Sequence, residues 1–255
     1  MKFLCFADLH YNGNNDNMVE CLKGIVKKEN PDIIIIAGDV VESSIVKHKN
    51  IYHVIRTQMF YFTDAPIVFC LGNHEFSYNS IDNVFKKLSY YDGSDFNCCC
   101  LDYNNFYNVE NSDYRLIGNV LWYDNTMKFS SIQKDDIIEP GWLDSTILDF
   151  IPSYECKKTK NAILRNIKSD KKHILITHCV PHKKLNWFSE YEPFSPYNMY
   201  SGCADFLSEL TNVEWAICGH THKRMTATIN GINCVNIGND YFHRRNDIES
   251  FVFEV

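Results

Sequence analysis

No stretch of the 255 residues approaches the roughly 18 uninterrupted apolar residues that a spanning helix requires, so no membrane crossing is expected. The apolar opening up to Ala7 is too short for the core of an export signal and ends at Asp8, which predicts no secretion. Zinc spacing of the CxxC kind is missing. The eleven cysteines are odd in number and scattered apart from Cys98, Cys99 and Cys100, which excludes a small disulfide framework and fits reduced thiols in the cytoplasm. The triple-cysteine run reads as part of a buried strand rather than as a metal site. Positive charge is also in deficit. A formal net charge of −7 argues against a groove for extended duplex nucleic acid, although bound divalent ions can make a site locally positive inside an acidic protein. Repeats, low-complexity tracts and linkers are missing too, so residues 1–255 read as one domain. The sequence carries no signal for an oligomeric state.

What is present is an ordinary globular balance of 45% apolar and 22% charged residues. Short β-branched or aromatic runs recur at Lys2–Ala7, Asp32–Ala37, Ile67–Leu71, His173–Thr177 and Glu214–Cys218, each passing directly into polar residues. Between the first three lie Asn15–Glu29 and Ile45–Phe62, where Met18, Leu22, Ile25 and Val26 recur at helical spacing. This β-α-β-α-β order predicts parallel strands whose carboxyl ends share one edge, where such sheets hold ligands. The middle of the chain reads as extended segments, with Leu116–Leu121 the clearest, followed by helical patterns near Leu143–Lys168. Runs at Met225–Ile229, Ile232–Ile237 and Phe251–Val255 predict further strands, and a second sheet would account for them.

The strand ends carry the chemistry. Five clusters follow predicted strands: Asp8-Leu9-His10, Gly38-Asp39, Gly72-Asn73-His74-Glu75, Thr177-His178 and Gly219-His220-Thr221-His222. Apart from His74 they offer two carboxylates, one carboxamide and four imidazoles, the mixed oxygen and nitrogen set of intermediate divalent metals. Seven donors exceed the needs of one ion and suit two ions about 3.5–4 Å apart that share a carboxylate.

The motifs, in this order, resemble those of the calcineurin-like metallophosphoesterases over Asp8 to His222. That resemblance implies an α/β fold of two mixed β-sheets packed as a sandwich and flanked by helices. It implies that Asp8, His10 and His222 hold one divalent ion, that Asn73, His178 and His220 hold a second, and that Asp39 bridges both. The ions would be Mn2+, Fe2+/Fe3+ or Zn2+. The reaction would be phosphoester hydrolysis by in-line attack of a hydroxide held between the ions, with His74 free of metal and protonating the leaving oxygen.

Other residues have plainer readings. His48, His53, His173, His182 and His243 fall outside the motifs and read as surface or supporting residues; His182, four residues after His178, is the one to watch. Glu75 reads as an electrostatic or capping group, and Asp16 and Asp32 as structural residues flanking a helix. Trp187, Phe188, Tyr191, Phe194, Tyr197 and Tyr200 could stack a nucleobase or aryl group, but packing of their segment onto the core is the plainer expectation. Trp122 and Tyr123 pose the same choice. Phosphoprotein phosphatases of the superfamily carry arginines beside the Gly-Asp and Gly-Asn-His-Glu motifs, whereas this chain has Gly-Asp-Val-Val-Glu-Ser and Phe-Cys-Leu-Gly-Asn-His-Glu. A small phosphodiester, such as a cyclic nucleotide or a short nucleic-acid end, is therefore the favoured substrate. A phosphomonoester on a metabolite or phosphoprotein is the alternative, with Arg224, Arg244 or Arg245 folding back to grip it. A metal-bearing scaffold without catalysis is the reading from another class.

Overall fold

The computed structural model describes residues 1–13, 16–46, 54, 63–89, 97–128, 138–191, 195–239 and 248–255. His48, His53, His243, Phe194, Arg244 and Arg245 lie outside the described residues, as does most of the helix expected over Ile45–Phe62.

The first sheet is built from β1 (Lys2–Phe6), β2 (Ile33–Ala37), β3 (Ile67–Cys70) and β4 (Cys98–Cys100), all parallel, with β11 (Phe251–Glu254) antiparallel on the outer side of β1. The cysteine run is thus an edge strand, with Cys100 buried and its two neighbours half-buried. The second sheet has the order β5-β6-β7-β8-β10-β9, from β5 (Phe106–Asn108), β6 (Tyr114–Asn119), β7 (Lys172–Thr177), β8 (Val213–Cys218), β9 (Met225–Ile229) and β10 (Ile232–Asn236). Its four central strands run parallel and the outermost strand on either side is antiparallel, so both sheets are mixed.

Side-chain alternation decides what each face meets. Phe3 and Cys5 of β1, Ala7 just after it, and Ile33, Ile35 and Ala37 of β2 pack against Leu116, Ile174, Ile176, Ile217 and Val235 of the second sheet, forming the core between the sheets. The intervening Leu4, Phe6, Ile34 and Ile36 pack outward against Val19, Leu22 and Val26 of α1 (Asp16–Glu29). Burial on both faces is why β2 reads as an unbroken isoleucine run instead of an alternating one.

Outside the aromatic segment the described residues also form the α-helices α2 (Ser43–Val46), α3 (Ile81–Ser89), α4 (Leu101–Asn104) and α5 (Pro152–Asn166), besides short 3-10 turns. Asp102 in α4 is fully buried in a carboxylate clamp, accepting the Leu71 N–H after β3 at 2.7 Å and the Val120 N–H after β6 at 2.8 Å. One carboxylate thereby ties the carboxyl end of a strand in each sheet. Among the described residues, no helix is long and apolar enough to cross a membrane.

Candidate metal centre

Every motif leaves the carboxyl end of a parallel strand: Asp8 and His10 follow β1, Asp39 follows β2, Asn73 and His74 follow β3, His178 follows β7, and His220 and His222 follow β8. The backbone turns sharply there. Asp8, His10, Asp39, His220 and His222 all have positive φ, between 46° and 73°, a left-handed conformation that costs an L-residue roughly 1–2 kcal/mol. Gly38 shares it at φ 79°, and a Cβ at that position would lie 2.4 Å from the His178 ring. The loops after β1 and β2 run side by side, with His10 N–H donating to the Asp39 carbonyl at 2.9 Å and Tyr11 N–H to the Val40 carbonyl at 3.0 Å. Asp8 reaches the other sheet, its carboxylate accepting the His220 N–H at 2.9 Å.

These turns gather all eight motif residues in one place. Asp8, His10, Asp39 and His222 bring one potential ligand atom each within 4.8 Å of one another. A second group meets at His178 Nε2, which lies 2.9 Å from Asn73 Oδ1, 3.3 Å from Asp39 Oδ2 and 3.1 Å from His220 Nδ1. Backbone carbonyls fix the rings: His178 Nδ1 donates to Ala37, His220 Nε2 to Tyr200 and His222 Nδ1 to Asn239. In neutral rings so held, His178 Nε2 and His220 Nδ1 both present lone pairs, converging with two oxygen donors. Such a convergence is repulsive unless a cation sits within it, so the donor chemistry fits a divalent metal. In the metal-free protein a proton would substitute. Burial opposes charging His178, yet the Asp39 and Asp8 carboxylates lift it to about 10, while burial and the His178 charge press His220 to about 3.

The family profile described as calcineurin-like phosphoesterase matches residues 1–224, which include all these positions. The chain belongs to the calcineurin-like phosphoesterase family. Members of this family are metal-dependent phosphoesterases, and solved structures agree with the fold. A phosphopantetheinyl hydrolase from Mycobacterium tuberculosis superposes with a TM-score of 0.67 at 14% identity, covering 94% of this chain and 89% of that one. A dimetal phosphatase from Danio rerio gives 0.59 at 12% identity, covering 99% and 91%. GAP50, described as the anchor in the inner membrane complex of Plasmodium, gives 0.53 at 16% identity, covering 99% and 80%. No curated protein sequence matches the chain.

In this phosphoesterase Asp39 and His74 share an edge of the site. The Asp39 carboxylate accepts the His74 N–H at 3.0 Å through Oδ1, while His74 Nε2 lies 3.7 Å from Oδ2. Burial works to raise Asp39, but the His178, His74 and His10 imidazoles outweigh it and hold the carboxyl well below the usual range. His74 Nδ1 sits 3.0 Å from Glu42 Oε1, and the other oxygen of that carboxylate is 3.5 Å from His10 Nδ1. Burial pulls His74 down, yet Asp39 and Glu42 together lift it to about 9.

Glu42 lies within Gly-Asp-Val-Val-Glu-Ser, where the motif pattern alone gives it no role. Its signal was its place three residues after Asp39. Asp144 accepts the Asn73 side-chain N–H at 2.7 Å from 71 residues away, and no local pattern marks it.

The remaining expectations resolve simply. Glu75 is fully buried and accepts the Gly72 and Val41 N–H groups at 2.6 and 2.8 Å, a capping role. His173 is buried, not a surface residue, and lies against Asn212 and Lys168. His182 caps the turn at Lys183–Leu185 by accepting the Lys184 N–H. Arg224 does not fold back; it pairs with Glu249 at 3.0 Å and covers Phe251. Trp122 and Tyr123 are core residues, as is Tyr200, whereas Tyr191 and Tyr197 are 63% and 43% exposed. Trp187 and Phe188, half-buried, pack against each other in the short α6 (Trp187–Tyr191). Trp142, which no sequence pattern picked out, stacks on both Tyr197 and Tyr200.

Proposed function

We propose that the protein hydrolyses small phosphodiesters, with Asp8, His10 and His222 holding one divalent ion, Asn73, His178 and His220 a second, and Asp39 bridging both. The observation that carries this reading is the Asp39 carboxylate, which belongs to both groups of converging donors. When bound, such ions supply a nucleophile from water at neutral pH and neutralise phosphate charge. The mixed donor set suits Mn2+, Fe2+/Fe3+ or Zn2+. His74 completes the machinery. Its Nδ1 is engaged by Glu42, and against the effect of burial the Asp39 and Glu42 carboxylates favour its cationic form, which places a proton on Nε2 for the leaving oxygen.

Charge supports the preference for diesters. The Glu42 carboxylate lies beside His74 with 27% of its side chain exposed, and it opposes a monoester dianion more than a diester monoanion. Among the described residues the arginines do not counter it: Arg115 binds Asn108, Arg165 is exposed on α5 and Arg224 is paired with Glu249. The phosphomonoesterase reading is the runner-up. The scaffold reading is weaker, because all seven donors and His74 are present. A net charge of −7 supports a cyclic nucleotide or short nucleic-acid end over an extended duplex, with no membrane partner. Eleven free cysteines support a reducing, cytoplasmic setting, and donors drawn from both sheets support one domain over 1–255.

The test is hydrolysis of bis(p-nitrophenyl) phosphate against p-nitrophenyl phosphate by metal-stripped protein resupplied with Mn2+. Faster, metal-dependent diester cleavage is expected, and Asp39→Ala should lose it together with both ions. Faster monoester cleavage would transfer the assignment to the phosphomonoesterase, and no metal-dependent cleavage of either would favour the scaffold.

A further inference from the structure

A carboxamide can ligate a metal only through its oxygen, yet its two ends are nearly the same size and a half-turn of the amide exchanges them. What lies behind Asn73 therefore decides whether Oδ1 or the NH2 group faces His178 and Asp39. Behind it is Asp144, fully buried in the 3-10 turn Leu143–Thr146. Its Oδ1 accepts from Asn73 Nδ2 at 2.7 Å, and its Oδ2 accepts from Tyr123 Oη at 3.0 Å and from Trp142 Nε1 at 3.1 Å. A carboxylate offers only acceptors, and the indole N–H can only donate. The indole N–H and the phenol thus claim one oxygen, leaving the other to take an N–H from Asn73. A reversed amide would set Asn73 Oδ1 against a carboxylate oxygen in a dry interior, where two unpaired acceptors are costly.

We infer that Asp144 is a positioning residue for the second ion, acting through Asn73 by fixing which end of its amide faces the metal. This rests on the reading of Asn73 as a ligand, and it assigns a task to the Trp142–Asp144 turn. Trp142 and Tyr123 in turn hold the carboxylate.

Isosteric substitutions separate this role from simple packing. In Asp144→Asn the one remaining acceptor oxygen is drawn to the Tyr123 and Trp142 donors, so the new NH2 group confronts Asn73 and reverses its amide. The reciprocal swap, Asn73→Asp with Asp144→Asn, restores the hydrogen bond with its direction inverted and returns an oxygen to the metal side. Mn2+ titration of the metal-free proteins by calorimetry reads the outcome. Two ions are expected in the original protein, the second weakened about 10–100-fold in Asp144→Asn, as for other groups that orient a metal ligand, and recovered to within about threefold in the swap. An unchanged second affinity in Asp144→Asn overturns the inference, as does a swap that stays as weak as the single variant. Should Asp144→Asn fail to fold, Asp144→Ala takes its place, since it removes the acceptor behind the Asn73 amide: a second ion weakened about 10–100-fold supports the inference and an unchanged second affinity overturns it. Asn73→Ala keeps the two readings apart. If it still binds two ions with unchanged affinity, Asn73 is not a ligand and the reading on which the inference rests falls, while the two-ion centre stands.

Discussion

Glu42 and His74 are bound at 3.0 Å, and the charge of one sets the protonation of the other. His74→Ala is expected to retain both ions while turnover falls by about 10²–10⁴-fold, the usual worth of a positioned proton donor, checked by metal analysis beside steady-state kinetics. Glu42→Gln should act more gently. Removing the negative charge takes away one of the carboxylates that raise the His74 pKa. A general acid works only below its pKa, so the alkaline limb of the kcat profile should move to lower pH. The same variant should narrow the preference for bis(p-nitrophenyl) phosphate over p-nitrophenyl phosphate, since the repulsion of a dianion is relieved. An unmoved alkaline limb would show that His74 is not the group being titrated.

At the scale of elements, Asp102 couples the two sheets close to where both deliver ligands. Burial pushes its carboxyl up to about 7, against the pull of the Leu71 and Val120 N–H donors. Because the folded value lies above the ordinary 3.9 of an unfolded chain, Asp102 favours the folded state fully below about pH 4, and that contribution fades as pH rises through 7. Three units correspond to an upper bound of about 4 kcal/mol. Asp102→Asn should remove this slope between pH 4 and 7, and should cost about 1–3 kcal/mol because its amide can accept only one of the two N–H groups. Urea unfolding at several pH values and fixed metal concentration measures both effects.

At the scale of the whole molecule, the proposed ions would touch both sheets. Donors after β1, β2 and β3 come from one sheet and donors after β7 and β8 from the other, so ions bound between them cross-link the sandwich. Ions that bind only the folded state at about a hundred times their Kd add about 2.7 kcal/mol each. For a chain of this size 1 kcal/mol moves Tm by about 2–4 °C, so chelation should lower Tm by about 10–20 °C. Calorimetry with and without chelator tests this. Asp39→Ala should melt near the chelated value and respond little to added Mn2+.

The sequence by itself determined the types of the candidate donors, their order and their place at strand ends, because donor chemistry and β-periodicity are local properties of a chain. Asp8-Leu9-His10 and Gly219-His220-Thr221-His222 are paired donors by their spacing alone. The parallel order of β1, β2 and β3 was legible too, since helical spacing between apolar runs leaves few other connections. Only the tertiary structure decided what stands behind each ligand. The carbonyls of Ala37, Tyr200 and Asn239 choose the ring nitrogen that faces the site, and Asp144, 71 residues from Asn73, faces the amide end opposite it. Hydrogen-bond direction depends on neighbours in space rather than along the chain, and no spacing in a sequence encodes it.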